Sequence, residues 1–164
     1  MPLFRPTHYV SGITALDPGA LAADGVEGLL VDIDNTIMAR KSGVLPPTAA
    51  AWISDVRAAG LAVCLVSNNW HEYVHGYASE LGVPIVAKAL KPLPFGFRVA
   101  ARALGLTTKQ CAVVGDQLFT DVLGGNLVGA TTVLVVPVSA SDLPHTLVLR
   151  RIERLIMAGR TPAS

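Results

Sequence analysis

The chain has 164 residues, enough to bury one core. It is 51% hydrophobic and 15% charged, yet no apolar run reaches the ~18 residues of a membrane span and no secretory leader pattern opens it. A net charge of +1 carries no strong nucleic-acid signal, and two cysteines define no disulfide framework, so Cys64 and Cys111 read as small core residues in a reducing cytoplasm.

Residues 1–27 read as an irregular N-terminal arm, broken by prolines 2, 6 and 18 and glycines 12, 19 and 25. The first strand is expected over Gly28–Ile33. After a loop containing Arg40, Lys41 and Gly43, Pro46-Pro47-Thr48 open a helix that buries Ala49, Trp52, Ile53 and Val56 and stops at Gly60. A second strand, Ala62–Val66, leads to Ser67-Asn68-Asn69. The next helix places Tyr73, Val74, Tyr77, Ala78 and Leu81 on one face and ends at Gly82. A short third strand, Pro84–Val86, is followed by Lys88 and Lys91-Pro92. Pro94 precedes a helix carrying Phe97, Ala100, Ala101 and Leu104. A fourth strand, Cys111–Val114, ends in Gly115-Asp116; a helix from Asp121 to Val128 and a fifth strand, Thr132–Val136, follow. A last helix is expected over 143–158, from Leu143 to about Met157. The whole reads as one domain, 1–164.

Apolar strands alternating with amphipathic helices predict a parallel sheet covered on both faces. In such sheets the site lies beyond the carboxyl ends of the strands. Those ends collect Asp32 and Asp34, Ser67 and Asn68, Lys88 and Lys91, and Asp116 with Asp121. Buried carboxylates need compensation, and a divalent cation such as Mg²⁺ supplies it through oxygen ligands. The same set suits phosphoryl transfer. One carboxylate attacks phosphorus and a second serves as acid and base. A hydroxyl and helix-start amides hold phosphate oxygens, and a lysine offsets charge. The simpler use of Asp34 or Asn35 is to cap a turn.

Asp32-Ile33-Asp34-Asn35-Thr36, Ser67-Asn68-Asn69, Lys91-Pro92 and Gly115-Asp116-Gln117-Leu118-Phe119-Thr120-Asp121 resemble, in order, the four motifs of the haloacid dehalogenase (HAD) superfamily of phosphatases. The similarity is closer to its YqeG-like, IIIA-type branch, whose pattern matches Gly115–Asn126, and it extends from about Tyr9 to Ile156. The resemblance implies a three-layer Rossmann-like sandwich with five parallel strands in the order 5-4-1-2-3. It implies a Mg²⁺-dependent phosphomonoesterase working through an aspartyl-phosphate. Asp32 would be nucleophile and metal ligand. Asp34 would be acid/base and lend its backbone carbonyl to the metal. Ser67 and the Asn68 amide would bind phosphate. Lys91 would be the stabilising lysine, with Lys88 as its rival, and Asp116 and Asp121 would complete the metal site.

Members of the superfamily often insert a cap domain between these motifs. Here each gap holds one loop, one helix and one strand, so an open site is expected, suited to a large or membrane-borne ester. Some relatives of this branch, in mitochondria, remove phosphate from phosphatidylglycerophosphate. The last helix sets Arg150, Arg151, Arg154 and Arg160 beside Leu147, Leu149, Ile152, Leu155 and Ile156, which permits peripheral contact with anionic phospholipid at the inner face of a membrane. The pattern favours instead a core-packed helix with a solvated basic face.

His71-Glu72-Tyr73-Val74-His75 spells a zinc-protease signature, but surface helix residues account for it better, with Tyr73 and Val74 turned to the core. His8 and His145 stand alone and read as structural or solvated. A receiver domain is discounted because the third strand ends in lysines, and a P-loop hydrolase because its motif is absent. The rival of another class is a binding or assembly protein, at a ribosome or a membrane, built on an intact but idle site. A phosphotransferase acting on an alcohol acceptor is a third reading.

Overall fold

The computed structural model describes residues 2–139 and 144–164. The expected helix start at Leu143 and the side chain of His145 lie outside the described residues. Among the described residues there are six strands: β1 (His8–Val10), β2 (Gly28–Val31), β3 (Ala62–Val66), β4 (Ile85–Val86), β5 (Cys111–Gly115) and β6 (Thr131–Val135). Of the α-helices among the described residues, five lie between strands, α1 (Pro18–Ala23), α2 (Pro47–Ala58), α3 (Tyr73–Leu81), α4 (Pro94–Ala103) and α5 (Leu123–Leu127), and a sixth, α6 (Pro144–Ile156), follows the last. The strands form one sheet in the order β1-β6-β5-β2-β3-β4, and every pairing is parallel.

The two-residue repeat of a strand sorts the apolar residues into two cores. Leu29, Val31, Val63 and Leu65 face α2 and α3, where Trp52, Ile53, Val56 and Val74 are buried against them. Leu30, Cys64, Val66 and Val113 face the other way, onto Phe97, Ala100 and Ala101 of α4. This makes three layers, helices on both sides of a parallel sheet, as the alternation predicts. Both cysteines are free and fully buried. Neither the β2–β3 nor the β3–β5 connection carries an inserted domain.

Five of the six strands keep the expected order; the sixth is a correction. His8–Val10, placed in the irregular arm by sequence, pairs with Val133–Val135 of β6. Three residues are too few to show an alternation, and their partner lies more than a hundred positions away. On its free side Val10 meets Ala163, with Ser11 N–H donating to the Ala163 carbonyl at 2.8 Å, so the C-terminal segment shields that edge.

A second correction concerns the stretch after β5. A regular helix from Asp121 was expected, but Leu118–Val122 form a π-helical turn before α5 begins at Leu123. A third concerns α3. Val74, Tyr77, Ala78 and Leu81 are buried as expected, whereas Tyr73, the first residue of the helix, is exposed. The zinc signature also dissolves, because His71 precedes the helix and stacks on Tyr73 with ring centroids 5.6 Å apart.

Packing between α4 and α5 is tight enough to forbid a side chain at Gly124. A Cβ there would lie 2.3 Å from a Phe97 ring carbon and 3.1 Å from the Pro92 carbonyl oxygen. Gly124→Ala should therefore destabilise by about 1–3 kcal/mol despite alanine's better helix propensity. Thermal unfolding should show a midpoint lower by roughly 3–10 °C. An unchanged or higher midpoint would mean that Phe97 yields freely.

Candidate active site

Every strand that bears on the site stops where its apolar run gives way to polar residues. Asp32 follows β2, Ser67 follows β3 and Asp116 follows β5. Lys91 lies in the turn after β4, and Asp121 in the π-helical turn after β5. All five are buried. One carboxylate oxygen from each of Asp32, Asp116 and Asp121 lies within 4.8 Å of the others.

Like charges this close need cations. Lys91 Nζ donates to Asp32 Oδ1 at 2.5 Å and to Asp121 Oδ1 at 2.7 Å. Burial alone would favour neutral lysine, but the two carboxylates outweigh it and hold its pKa above the ordinary lysine value. Lys88 is exposed and lies over the Trp70 ring, so Lys91 is the lysine that enters the cluster. The second cation is Arg150, whose guanidinium donates to both the carboxylate and the carbonyl oxygen of Asp116. It reaches the site from α6, 34 positions along the chain.

Two cations against three carboxylates leave an excess of negative charge. Burial, then the Asp32 carboxylate, push Asp116 up to about 8, although Arg150 pulls the other way. Burial also raises Asp121 to about 6, against the pull of Lys91. Carboxyl groups that stay reluctant to ionise beside two fixed cations have the chemistry of an oxygen-donor site for a divalent ion. The donor set therefore fits Mg²⁺, with Asp32, Asp116 and Asp121 as the side chains that would hold it.

Asp34 stands apart. Its carboxylate lies outside the three-carboxylate cluster, is partly exposed, and comes within 4.0 Å of Arg40. Burial and then the Asp32 charge raise its pKa, with Arg40 opposing them. Asn35, next along, is buried with φ 62°, a left-handed conformation that asparagine tolerates. Its side-chain oxygen accepts from the Arg40 amide at 3.2 Å and from Ser139 Oγ at 2.7 Å, tying the loops after β2 and β6 together. The turn role considered for this stretch thus falls to Asn35.

Ser67 Oγ accepts from the Asn69 amide at 3.0 Å. Asn68 uses its side chain on the lysine turn: Oδ1 accepts from Lys91 N–H at 2.7 Å and Nδ2 donates to the Lys91 carbonyl at 3.1 Å. Sequence reasoning left three contributors unassigned. Thr36 Oγ1 lies 3.0 Å from Asp32 Oδ2 and 3.4 Å from Asp116 Oδ1. By sequence Arg150 is one of several basic residues near the C-terminus. Glu153, also on α6, is buried and accepts the Leu118 amide at 2.7 Å, fastening the turn that presents Asp121. Thr36 was visible inside its motif. For the two α6 residues, the spacing Arg150–Glu153 on a helix otherwise rich in arginine was the only signal. Gly115 completes the arrangement, because a Cβ there would lie 2.2 Å from Asp121 Cγ.

The cluster opens into a cavity of about 410 Å³ whose wall includes Asp34, Arg40, Lys41, Ser67, Trp70 and, from α6, Leu149.

Known proteins resemble this chain in both sequence and fold. A HAD-hydrolase-like family model matches residues 89–137. The chain is 38% identical over 156 residues to a probable phosphatase, YqeG, of Bacillus subtilis, covering 95% of this chain and 91% of that protein. It is 28% identical over 162 residues to phosphatidylglycerophosphate phosphatase 1 of Arabidopsis thaliana, covering 93% of this chain but 46% of that longer protein. Among solved structures, NagD of E. coli K-12 superposes with a TM-score of 0.60 at 14% identity, covering 84% of this chain and 94% of that one. The cobalt-bound deoxy-D-mannose-octulosonate 8-phosphate phosphatase of Haemophilus influenzae gives 0.56 at 14% identity, covering 82% and 88%. At such identities these two report the fold alone.

The raised carboxyl groups make a prediction for metal-free protein. Between an ordinary carboxylate pKa and the raised values of Asp116 and Asp121, the folded state binds more protons than the unfolded state, so stability must fall as pH rises. In EDTA, the thermal midpoint should drop from about pH 5 to about pH 8, and Asp116→Asn should flatten the slope. A midpoint that holds steady or climbs over that range would refute the assignment.

Proposed function

Because the chain belongs to the HAD superfamily of phosphatases, in its YqeG-like branch, we propose that it hydrolyses phosphate monoesters with Mg²⁺ through a phosphorylated Asp32. The observation that carries this reading is the convergence of three buried carboxylates on one lysine at the carboxyl edge of the sheet. A bound Mg²⁺ supplies positive charge to the phosphate oxygens. The chain supplies the rest.

An Asp32 carboxylate oxygen attacks phosphorus as the P–O bond to the leaving alcohol breaks. Thr36 and Lys91 hold the two carboxylate oxygens and so fix the direction of attack. Asp34, whose raised pKa suits it to carry a proton, gives that proton to the leaving oxygen. It then takes a proton from water as the water attacks phosphorus, releasing inorganic phosphate and restoring Asp32. Ser67 and the Asn68 backbone amide bind phosphate oxygens, while the Asn68 side chain holds the Lys91 turn in register. Arg150 is a positioning residue, setting the Asp116 carboxylate from α6.

Among the described residues no cap covers the site, and its wall mixes cations with aromatic side chains, which favours an ester too large for an enclosed pocket. Two relatives named phosphatidylglycerophosphate phosphatases support a membrane-borne, anionic lipid ester as that substrate. No helix of the described residues is long and apolar enough to cross a membrane. A lipid ester as substrate favours a cytoplasmic protein that meets the inner face of the membrane by peripheral contact.

Purified protein should hydrolyse p-nitrophenyl phosphate and phosphatidylglycerophosphate in mixed micelles with Mg²⁺ and not in EDTA. Asp32→Asn should lower both rates by about 10³-fold or more. Activity that survives Asp32→Asn would sink the mechanism. Folded protein that binds Mg²⁺ but turns over neither ester would favour an assembly role on the same fold.

A further inference from the structure

The apolar residues of α6 do not pack inward. Leu147, Val148, Ile152, Leu155 and Ile156 are exposed, Leu155 to 76%, while Arg150 and Glu153 face the body of the protein. This reverses the expectation of a core-packed helix with a solvated basic face. The reason lies in the site: the polar edge of α6 is needed by Asp116 and by the Leu118 and Phe119 amides. Its apolar edge is thereby turned outward.

The loops at the site mouth show the same habit. Val44 follows β2, Trp70 follows β3, Leu90 and Leu93 follow β4, and Val138 follows β6; all are exposed. Phe95, in the first turn of α4, is 67% exposed. Single exposed apolar residues mean little, but here nearly all the large ones among the described residues sit on mouth loops, at the helix starts beside them, or on α6. The two groups meet at the cavity, which Leu149 lines together with Lys41 and Trp70.

Charge follows the same division. Among the described residues, the exposed charges on these segments are Lys41, Lys88, Arg151 and Arg154, against Glu72 alone. Lys88 Nζ sits 5.2 Å from the Trp70 ring centroid, a cation and an indole side by side at the rim. Elsewhere among the described residues, exposed cations such as Arg57, Arg102 and Lys109 are nearly matched in number by exposed acids such as Asp24, Glu27 and Asp55, so most of the excess positive charge lies at this surface.

We propose that the site mouth and the outward edge of α6 form one docking surface for an anionic lipid bilayer, which presents the phosphate ester to Asp32 directly. Apolar tips interleaved with lysine and arginine suit an interface where acyl chains meet negative headgroups. Neither a neutral membrane nor an acidic soluble protein satisfies both halves of the pattern. The proposal rests on the phosphatase reading for its substrate, but the surface can be tested without turnover.

Flotation with phosphatidylglycerol vesicles should carry the protein at least about tenfold more than phosphatidylcholine vesicles do, with the difference shrinking in high salt. Phe95→Glu and Leu155→Glu should each weaken that binding about tenfold and leave p-nitrophenyl phosphate hydrolysis unchanged, which also certifies their folding. Equal recovery on both vesicle types, or variants that bind like the parent, would overturn the surface. So would a dimer in light scattering that Leu155→Glu dissociates without any vesicle binding, since α6 would then be an interface between copies. Anionic vesicle binding without hydrolysis of a vesicle-borne phosphate ester would support the surface and remove the lipid substrate from the functional reading.

Discussion

The structure depends on a charge problem placed at the end of a sheet. Asp32, Asp116 and Asp121 are delivered to one buried point, and burial resists their ionisation. Lys91 and Arg150 answer part of the charge, and each demands supporting structure. Lys91 is held because Asn68 clamps its backbone from the neighbouring strand end. Arg150 is held because α6 is anchored through Glu153. Gly115 has no side chain because Asp121 occupies that space. Much of the local geometry follows from keeping three acids together without letting them repel one another out of the core.

This constraint also explains two of the places where regular structure gives way. The turn after β5 is π-helical, which widens the backbone just where Asp121 is brought back toward the strand end. The backbone at Asn35 is left-handed, so the chain reverses directly after Asp34 while the asparagine side chain bonds to two other loops. Both irregularities lie within a few residues of a carboxylate of the site. In α2 and α4 the helical period is kept, and the buried residues are those that period alone selects.

That contrast sets what could be read from sequence. The helix faces of α2 and α4 and the ends of β3 and β5 are legible because one local rule, burial at a fixed period, decides them. The site residues at strand ends are legible because a parallel sheet brings its carboxyl ends together whatever the sequence distance. β1 escapes notice because three residues have no period, and it is defined by β6 and Ala163 instead. Tyr73 fits the apolar stripe of α3 yet lies outside, since the first residue of that helix projects beyond the layer it covers. The orientation of α6 could not be inferred from its pattern. Composition points its leucines inward, but the helix is turned by a partner, Asp116, that only the fold brings within reach.

The inverted helix joins the charge problem to the outer surface. A phosphoryl-transfer site works best when water is excluded and fixed dipoles replace it. Many folds meet that need with a lid; here neither connection beside the site carries one. The acids instead recruit an arginine from α6, and recruiting it exposes a row of leucine and isoleucine beside the open mouth. On the docking proposal, the apolar layer that closes the site belongs to the membrane and not to the chain. The same interactions that stabilise the carboxylate cluster would then determine which surface the enzyme turns toward its substrate.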